Sequence, residues 1–288
     1  STNANAFNFI KIEGLQGQSW SIQNIENDIL ICHDTGIYKL SDGTFEKIDT
    51  QAGFWKITAI NDKPGFYLAS NYVGLYLITK EEGQWKIVNK IKGFDESSRD
   101  ILADTEPNTY WVCHGYKGVY KLHFNSDYSR VDAVDHFTDK NGFKSPYNIN
   151  VFKRKKKIIF TTNTGIYDYN NHNSRFELYE PLNKLFDPTK NTRKILVANN
   201  KTWFIQDDEA GYFDSNSENP KLNKDLFLNL KGSFNRGMES IYPLSNGKVF
   251  FGTNSGLYLY TILDNKVTGK YPTIISKINY FHNQKMEL

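Results

Sequence analysis

The chain has 288 residues, with 35 basic and 32 acidic side chains and a formal net charge of +3. That near balance gives no electrostatic ground for a nucleic-acid or charged-membrane partner, and no apolar run approaches the roughly 18 residues that cross a bilayer. Phe, Tyr and Trp make up 15% of the chain while Cys and Met number two each, a bias toward strands and away from a disulfide framework.

The chain starts Ser1-Thr2-Asn3-Ala4, with neither Met nor a signal-peptide pattern, as a processed end or a piece of a longer protein would. Phe7-Asn8-Phe9-Ile10-Lys11-Ile12 follows as a lone predicted strand. Six segments then share one form: a short apolar strand, a polar turn, a glycine and an apolar pair. They are Cys32-His33-Asp34-Thr35-Gly36-Ile37-Tyr38, Ser70-Asn71-Tyr72-Val73-Gly74-Leu75-Tyr76 and His114-Gly115-Tyr116-Lys117-Gly118-Val119-Tyr120. After them come Thr162-Asn163-Thr164-Gly165-Ile166-Tyr167, the degenerate Asp207-Asp208-Glu209-Ala210-Gly211-Tyr212-Phe213, and Thr253-Asn254-Ser255-Gly256-Leu257-Tyr258. The marker glycines are spaced by 38, 44, 47, 46 and 45 residues, the period of a four-stranded propeller blade.

Each unit supplies the strands that a blade needs. In unit two, residues 56–60, 66–69, 75–78 and 84–90 read as successive strands, with turn signals between them. In the last unit, residues 240–244, 248–251 and 257–260 give three strands and no convincing fourth. The unmatched strand at residues 7–12 would complete that blade and remove the exposed edges of an open sheet. The expectation is an all-β chain: a β-propeller of six four-stranded blades over residues 1–270, closed by its N-terminal strand. The alternative is part of a larger propeller of seven or more blades.

Val249-Phe250-Phe251-Gly252-Thr253-Asn254-Ser255-Gly256-Leu257-Tyr258 resembles the two-component-regulator propeller repeat, whose usual form is Trp-Ile-Gly-Thr, two variable residues and Gly-Leu. Residues 158–167 are near it, and Trp111 and Trp203 stand where the family's Trp is expected. Tyr271-Pro272-Thr273-Ile274-Ile275-Ser276-Lys277-Ile278 is similar to the first strand of the triple-tyrosine module that follows such propellers, so residues 271–288 are expected to be a linker and that strand. The resemblance implies a periplasmic sensor segment of a membrane-anchored bacterial regulator, a histidine kinase or a helix-turn-helix protein, in several cases responsive to glycans. It implies a possible homodimer through the parent receptor, and none of the signalling domains lies in this chain.

The residues themselves show no catalytic constellation. Cys32-His33 and Cys113-His114 invite a metal, but both pairs end the same repeat strand and belong to units that are not neighbours in a ring; repeat periodicity explains them, and no metal, cofactor or disulfide is expected. Lys153-Arg154-Lys155-Lys156-Lys157 falls at a predicted hairpin turn, where solvation suffices. Acidic runs such as Asp207-Asp208-Glu209 lack Ca²⁺-loop spacing. For an enzyme, two carboxylates about 5–10 Å apart would be needed at the axis; Asp100 and Glu239, at equivalent starts of two inner strands, are the pair to check.

Register marks a binding face. Trp20, Trp55, Arg99, Tyr147, Arg193 and Met238 precede inner strands, and His33, Tyr72, His114, Tyr116, Asn163 and Asn254 lie in loops from second to third strands. In a closed ring these would converge at the mouth of the axis, where aromatic faces stack on sugars and Arg and Asn supply hydrogen bonds. Nine form the candidate ligand site: Trp20, Trp55, Arg99, Tyr147, Arg193, His33, Tyr72, His114 and Tyr116. The expected function is a non-enzymatic sensor of an oligosaccharide or other small ligand. An interaction scaffold without a small ligand is the alternative, and a carbohydrate-active enzyme ranks last.

Overall fold

The computed structural model describes residues 11–244, 247–261, 280–282 and 285–287. The described strands build six antiparallel meanders arranged as a β-propeller. Blade 1 holds β1 (Ser19–Ile25), β2 (Asp28–His33), β3 (Gly36–Ser41) and β4 (Thr44–Asp49). Blade 2 holds β5 (Phe54–Ala59), β6 (Phe66–Asn71), β7 (Gly74–Glu81) and β8 (Gln84–Lys90). Blade 3 holds β9 (Asp100–Ala103), β10 (Thr109–His114), β11 (Gly118–Phe124) and β12 (Val131–Phe137). Blade 4 holds β13 (Asn150–Arg154), β14 (Lys157–Thr162), β15 (Gly165–Asn170) and β16 (Arg175–Leu178). Blade 5 has β17 (Thr192–Ala198), β18 (Lys201–Gln206) and β19 (Glu209–Asp214), and blade 6 has β20 (Ser240–Pro243), β21 (Lys248–Thr253) and β22 (Gly256–Thr261).

Burial follows position in the blade. Every residue of the second strand β10 is buried, because both faces of a central strand meet a neighbouring blade. Five apolar clusters fill the spaces between consecutive blades. Leu30, Cys32 and Ile37 of blade 1 meet Ile57 and Ala69 of blade 2, and Trp111 and Cys113 of blade 3 meet Val151 and Phe160 of blade 4. Trp203 and Ile205 of blade 5 meet Val249 and Phe251 of blade 6 in the same way. Two further clusters join blades 2 and 3, and blades 4 and 5. At about 25 cal/mol per Å² of buried apolar area, these seams hold the ring together.

The marker glycine has two causes. Five of the six take φ between 87° and 151°, the region that only glycine enters at little cost. At Gly118 a Cβ would also lie 2.2 Å from the Phe137 carbonyl oxygen, so the outer strand approaches too closely for any side chain. Gly211 of the degenerate unit is absent from the positive-φ glycines.

In five blades the residue that ends the second strand caps the turn ahead of this glycine. His33 Nδ1 accepts from Thr35 N (3.1 Å), Asn71 Oδ1 from Val73 N (3.0 Å) and His114 Nδ1 from Tyr116 N (3.0 Å). Thr162 Oγ1 and Thr253 Oγ1 do the same for Thr164 N (3.0 Å) and Ser255 N (3.3 Å). One acceptor two residues before a turn amide is the common requirement, met by three residue types.

Among the described residues, blades 5 and 6 show three strands each. Beyond β19 the chain makes one bridge, Tyr212 with Asn223, before a 3₁₀ turn at Asp225–Leu230 packs on the blade. The segment between carries Ser, Asn and Pro220, residues ill-suited to a ladder. The expected strand at residues 7–12 lies mostly outside the described residues; Lys11 and Ile12, its described end, are exposed and not in a strand. Among the described residues, blades 6 and 1 meet through Gln18 Nε2 and Met238 Sδ, 3.7 Å apart. By alternation Ile22 of β1 and Leu257 of β22 face that junction, and they are 67% and 59% exposed. The expected triple-tyrosine strand at residues 271–278 also lies outside the described residues. The strand pairs Tyr280–His282 and Lys285–Glu287 form a short hairpin.

Candidate functional site: the axial cavity

Loops that enter inner strands and loops from second to third strands share one face of the ring. Backbone hydrogen bonds join them: Asp34 N to Gln18 O (3.0 Å), Gly53 N to Asp34 O (2.8 Å), Tyr72 N to Gly53 O (2.9 Å), Ser98 N to Asn71 O (3.0 Å) and Asp207 N to Asn191 O (2.7 Å). On this face three inner strands are irregular where they begin. The pairing of β1 with β2 slips between Ser19 and Ser21, that of β5 with β6 between Phe54 and Lys56, and that of β17 with β18 between Thr192 and Lys194. The extra residues are Trp20, Trp55 and Arg193. A bulge re-aims the side chain it carries, and each of the three is a residue that sequence register assigned to the mouth.

Below them the registers align one position on every inner strand. Ser21, Lys56, Asp100, Asn150, Lys194 and Ser240 stand opposite Cys32, Ser70, Cys113, Thr161, Ile205 and Gly252. Side chains tie consecutive blades around this ring. The Gln23 amide bonds both Ile57 N (2.9 Å) and Ile57 O (2.8 Å). Lys56 pairs with Asp100 at 3.3 Å. Arg99 Nη2 donates to Ile149 O (3.0 Å) and Asn150 Oδ1 (2.8 Å). Thr161 Oγ1 donates to Thr192 O (2.5 Å), and Arg193 Nε faces Glu239 Oε1 at 3.8 Å.

Above the ring opens a cavity of about 630 Å³ to which five blades contribute. Blade 2 gives Trp55; blade 3 gives Ser97, Arg99, His114, Gly115 and Tyr116; blade 4 gives Asn148 and Asn150; blade 5 gives Arg193; and blade 6 gives Arg236, Gly237 and Glu239. That size is in the range of small-ligand pockets. Five of the nine residues singled out by register therefore line one cavity: Trp55, Arg99, His114, Tyr116 and Arg193.

The other four stand apart from its lining. Trp20 and Tyr72 both pack on Trp55 in tilted contacts, with ring centroids 4.4 and 4.8 Å away, so both buttress the tryptophan. Burial raises the Tyr72 phenol above its ordinary value, with Asp34 adding to it and Trp20 opposing. His33 is fully buried and caps its turn. Tyr147 is 53% exposed, because the chain turns at Asn148, which takes φ +56°, and brings Asn148 and Asn150 to the cavity in its place.

His114 combines two roles. Its Nδ1 accepts from Tyr116 N (3.0 Å) and Lys117 N (3.2 Å), so the neutral ring carries its proton on Nε2, 3.8 Å from Glu96 Oε2. Burial lowers its pKa, and Glu96 opposes that shift. Arg193 Nη2 donates to Asp207 Oδ1 (3.0 Å), while its Nε is buried with no hydrogen-bond partner among the described residues. Asn191, buried, donates to Asn148 O and Asn163 Oδ1, both at 2.9 Å, which fixes the blade 4 loop beside the cavity.

Sequence reasoning passed over Lys194, Asn150 and Arg236. Lys194 was legible: it stands one residue after Arg193, as Lys56 stands one after Trp55, and both head an inner strand. Arg236 was not, since it lies in a loop without repeat equivalents. The carboxylates considered for catalysis are both engaged with cations, Asp100 with Lys56 and Glu239 with Arg193. The basic run falls at the turn between β13 and β14, as expected, with Lys155 at φ +55°. Cys32 and Cys113 are free and buried, in different blades. Among the described residues no helix is long and apolar enough to cross a membrane.

This geometry has counterparts among solved structures. The extracellular domain of a hybrid two-component system from B. thetaiotaomicron superposes with a TM-score of 0.61 at 13% identity, over 88% of this chain and 33% of that one. The same domain of a second such system from that organism gives 0.60 at 14%, over 88% and 35%. The chain shares their propeller fold. It therefore spans about a third of the length of those two domains. Sqt1 from Saccharomyces cerevisiae also matches, with a TM-score of 0.52 at 11% identity over 85% of this chain and 72% of its own, so the fold by itself does not select a function. No protein-family model matches the chain, and no curated protein matches it by sequence.

Proposed function

We propose that this propeller is the extracytoplasmic sensing part of a membrane-anchored bacterial signal-transduction receptor, located in the periplasm. On this reading it binds a small saccharide in the axial cavity and releases it unchanged. The observation that carries the reading is the convergence of five blades on one opening of about 630 Å³ with aromatic and hydrogen-bonding walls. Trp55 and Tyr116 offer ring faces to a pyranose, and Arg99, Asn148 and Asn150 offer directed polar contacts. The fold shared with extracellular domains of two-component systems supports the setting. Signal transfer would then run through the parent receptor, in which two copies could pair.

A thermal-shift screen of the chain against neutral and acidic oligosaccharides, with chromatography of the ligand after incubation, tests this. A ligand at 100 times its Kd adds about 2.7 kcal/mol, which raises Tm by roughly 5 °C or more for a domain of this size. The shift is expected to vanish in Trp55→Ala and to shrink in Arg99→Gln, with the saccharide recovered intact. An undiminished shift in both variants would move the site off the axis. A shortened saccharide would make the protein an enzyme.

A further inference from the structure

Among the described residues, five cations gather at the axial cavity: Arg99, Arg193 and Arg236 in its lining, and Lys56 and Lys194 on the ring of inner-strand positions beneath it. Two have a carboxylate within ion-pair distance, Lys56 with Asp100 at 3.3 Å and Arg193 with Asp207 at 3.0 Å. Arg99 directs Nη2 at neutral acceptors, Ile149 O and Asn150 Oδ1. The side chains of Arg236 and Lys194 make no ion pair or hydrogen bond with any described residue. Lys194 is nevertheless half-buried, within electrostatic reach of Lys56, Asp100 and Glu239. Burial pushes its ammonium below the ordinary lysine value, and Lys56 adds to that shift while Asp100 and Glu239 oppose it. Beside it the buried Arg193 Nε has no hydrogen-bond partner among the described residues.

A half-buried cation without a direct ion-pair or hydrogen-bond partner is costly. Around the same opening stand Arg99, held by neutral acceptors, and the exposed Arg236, so cations outnumber carboxylates in the cavity lining. The carboxylate in the lining, Glu239, does not balance them: it accepts from Gly237 N at 3.0 Å and faces Arg193 Nε at 3.8 Å. A neutral occupant would displace water from these groups and offer no charge in return, whereas an anion makes charge-assisted hydrogen bonds there.

Building on the reading of this cavity as a saccharide site, we propose that its ligand is an acidic saccharide, whose carboxylate or sulfate is taken by Arg193 and Lys194 with Arg99 and Arg236 beside them. Trp55 and Tyr116 hold the sugar rings, and the anionic group sets the selectivity.

Calorimetric titration with three matched disaccharides tests the assignment: cellobiose, its analogue with one hydroxymethyl oxidised to carboxylate, and its monosulfated form. The expected result is that at least one acidic form binds tenfold or more tightly than cellobiose, with an affinity that falls as salt is raised. The carboxylate and sulfate arms identify which anion is preferred. Lys194→Gln is expected to weaken the acidic ligand at least tenfold and cellobiose far less. Without ligand, Lys194→Met is expected to raise Tm by roughly 2 °C, since it removes an unpaired, half-buried charge; a fall in Tm would make the lysine structural and overturn the proposal. Cellobiose binding as tightly as both acidic forms would overturn the acidic assignment and leave the cavity as a saccharide site. Failure of all three, together with a null oligosaccharide screen, would remove both readings.

Discussion

Trp111 and Trp203 occupy the same place in two blades, the third residue of the second strand, yet their indole N–H groups have opposite fates. Trp111 is 1% exposed, packs on Phe160 and Tyr169 at 5.0 Å, and donates to Asp104 Oδ2 at 2.6 Å. Trp203 is fully buried against Tyr212 at 5.0 Å, and its Nε1 has no hydrogen-bond partner among the described residues. Replacing either by Phe removes similar volume from a similar cluster, so the packing cost is about the same in both. At Trp111 the change also loses a bond to a charged acceptor, about 1.5–3 kcal/mol. At Trp203 it removes an unpaired donor whose burial costs about 1–3 kcal/mol, which offsets the packing loss. The two effects add to an expected gap of about 2.5–6 kcal/mol, or a Tm for Trp111→Phe at least roughly 5 °C below that of Trp203→Phe. Thermal unfolding followed by near-ultraviolet circular dichroism measures it. Melting points within about 1 °C of each other, or a lower one for Trp203→Phe, would refute the reasoning that hydrogen-bond satisfaction separates two otherwise equivalent positions.

Gly118→Ala is expected to destabilise by about 2 kcal/mol or more, because φ is +87° and the new Cβ would lie 2.2 Å from Phe137 O. Gly83→Ala, at φ +80° with open space around it, is expected to cost only the conformational part, about 1 kcal/mol; urea midpoints of the two variants compare them directly. Asp28 accepts from Lys80 (2.8 Å), Trp85 (2.7 Å) and Lys39 (3.2 Å). Lys80 foremost, then Trp85 and Lys39, overcome the opposing effect of burial and hold its carboxyl at about 2, below the ordinary 3.8. Since the folded pKa lies below the unfolded one, this stabilisation is complete above about pH 5 and is lost as pH falls from about 4 through about 2. Asp28→Asn is therefore expected to lower stability by roughly 1–2 kcal/mol at neutral pH, screening included, and by much less near pH 2, as denaturation at a series of pH values would show.

Much of the fold was legible because each blade repeats one steric problem. A strand must turn and restart beneath the edge of its neighbour, and glycine solves this at Gly36, Gly74, Gly118, Gly165 and Gly256. The column His33, Asn71, His114, Thr162 and Thr253 was equally open to reading, since all five carry an acceptor that caps the turn amide. Seen as a column, the histidines are substitutes for Asn and Thr, and the metal question raised by the two Cys-His pairs has a local answer. Blade 5 was read as degenerate and proves so. Gln206 ends its second strand but sends its amide to Asp187 O (2.9 Å), and Gly211 stands outside the positive-φ set.

The site was legible to the level of a face. Period and register put Trp55, Arg99, His114, Tyr116 and Arg193 at one mouth, because an inner strand that starts there must present its first residues to the axis. Tyr147 shows the limit of that logic: one residue at positive φ, Asn148, turns the chain and changes which side chain arrives. The bulges at Trp20, Trp55 and Arg193 belong to the same class, since a slip of one residue in a ladder leaves no mark in composition.

By itself the sequence determined the blade, its period and the face where loops gather, since these follow from local sterics and from alternation along each strand. The tertiary structure alone decided which charges meet at the axis and which go unpaired. Lys194, Lys56, Asp100 and Glu239 come from four blades and are up to 183 residues apart; only closure of the sheets around a common axis sets the distances through which their charges act.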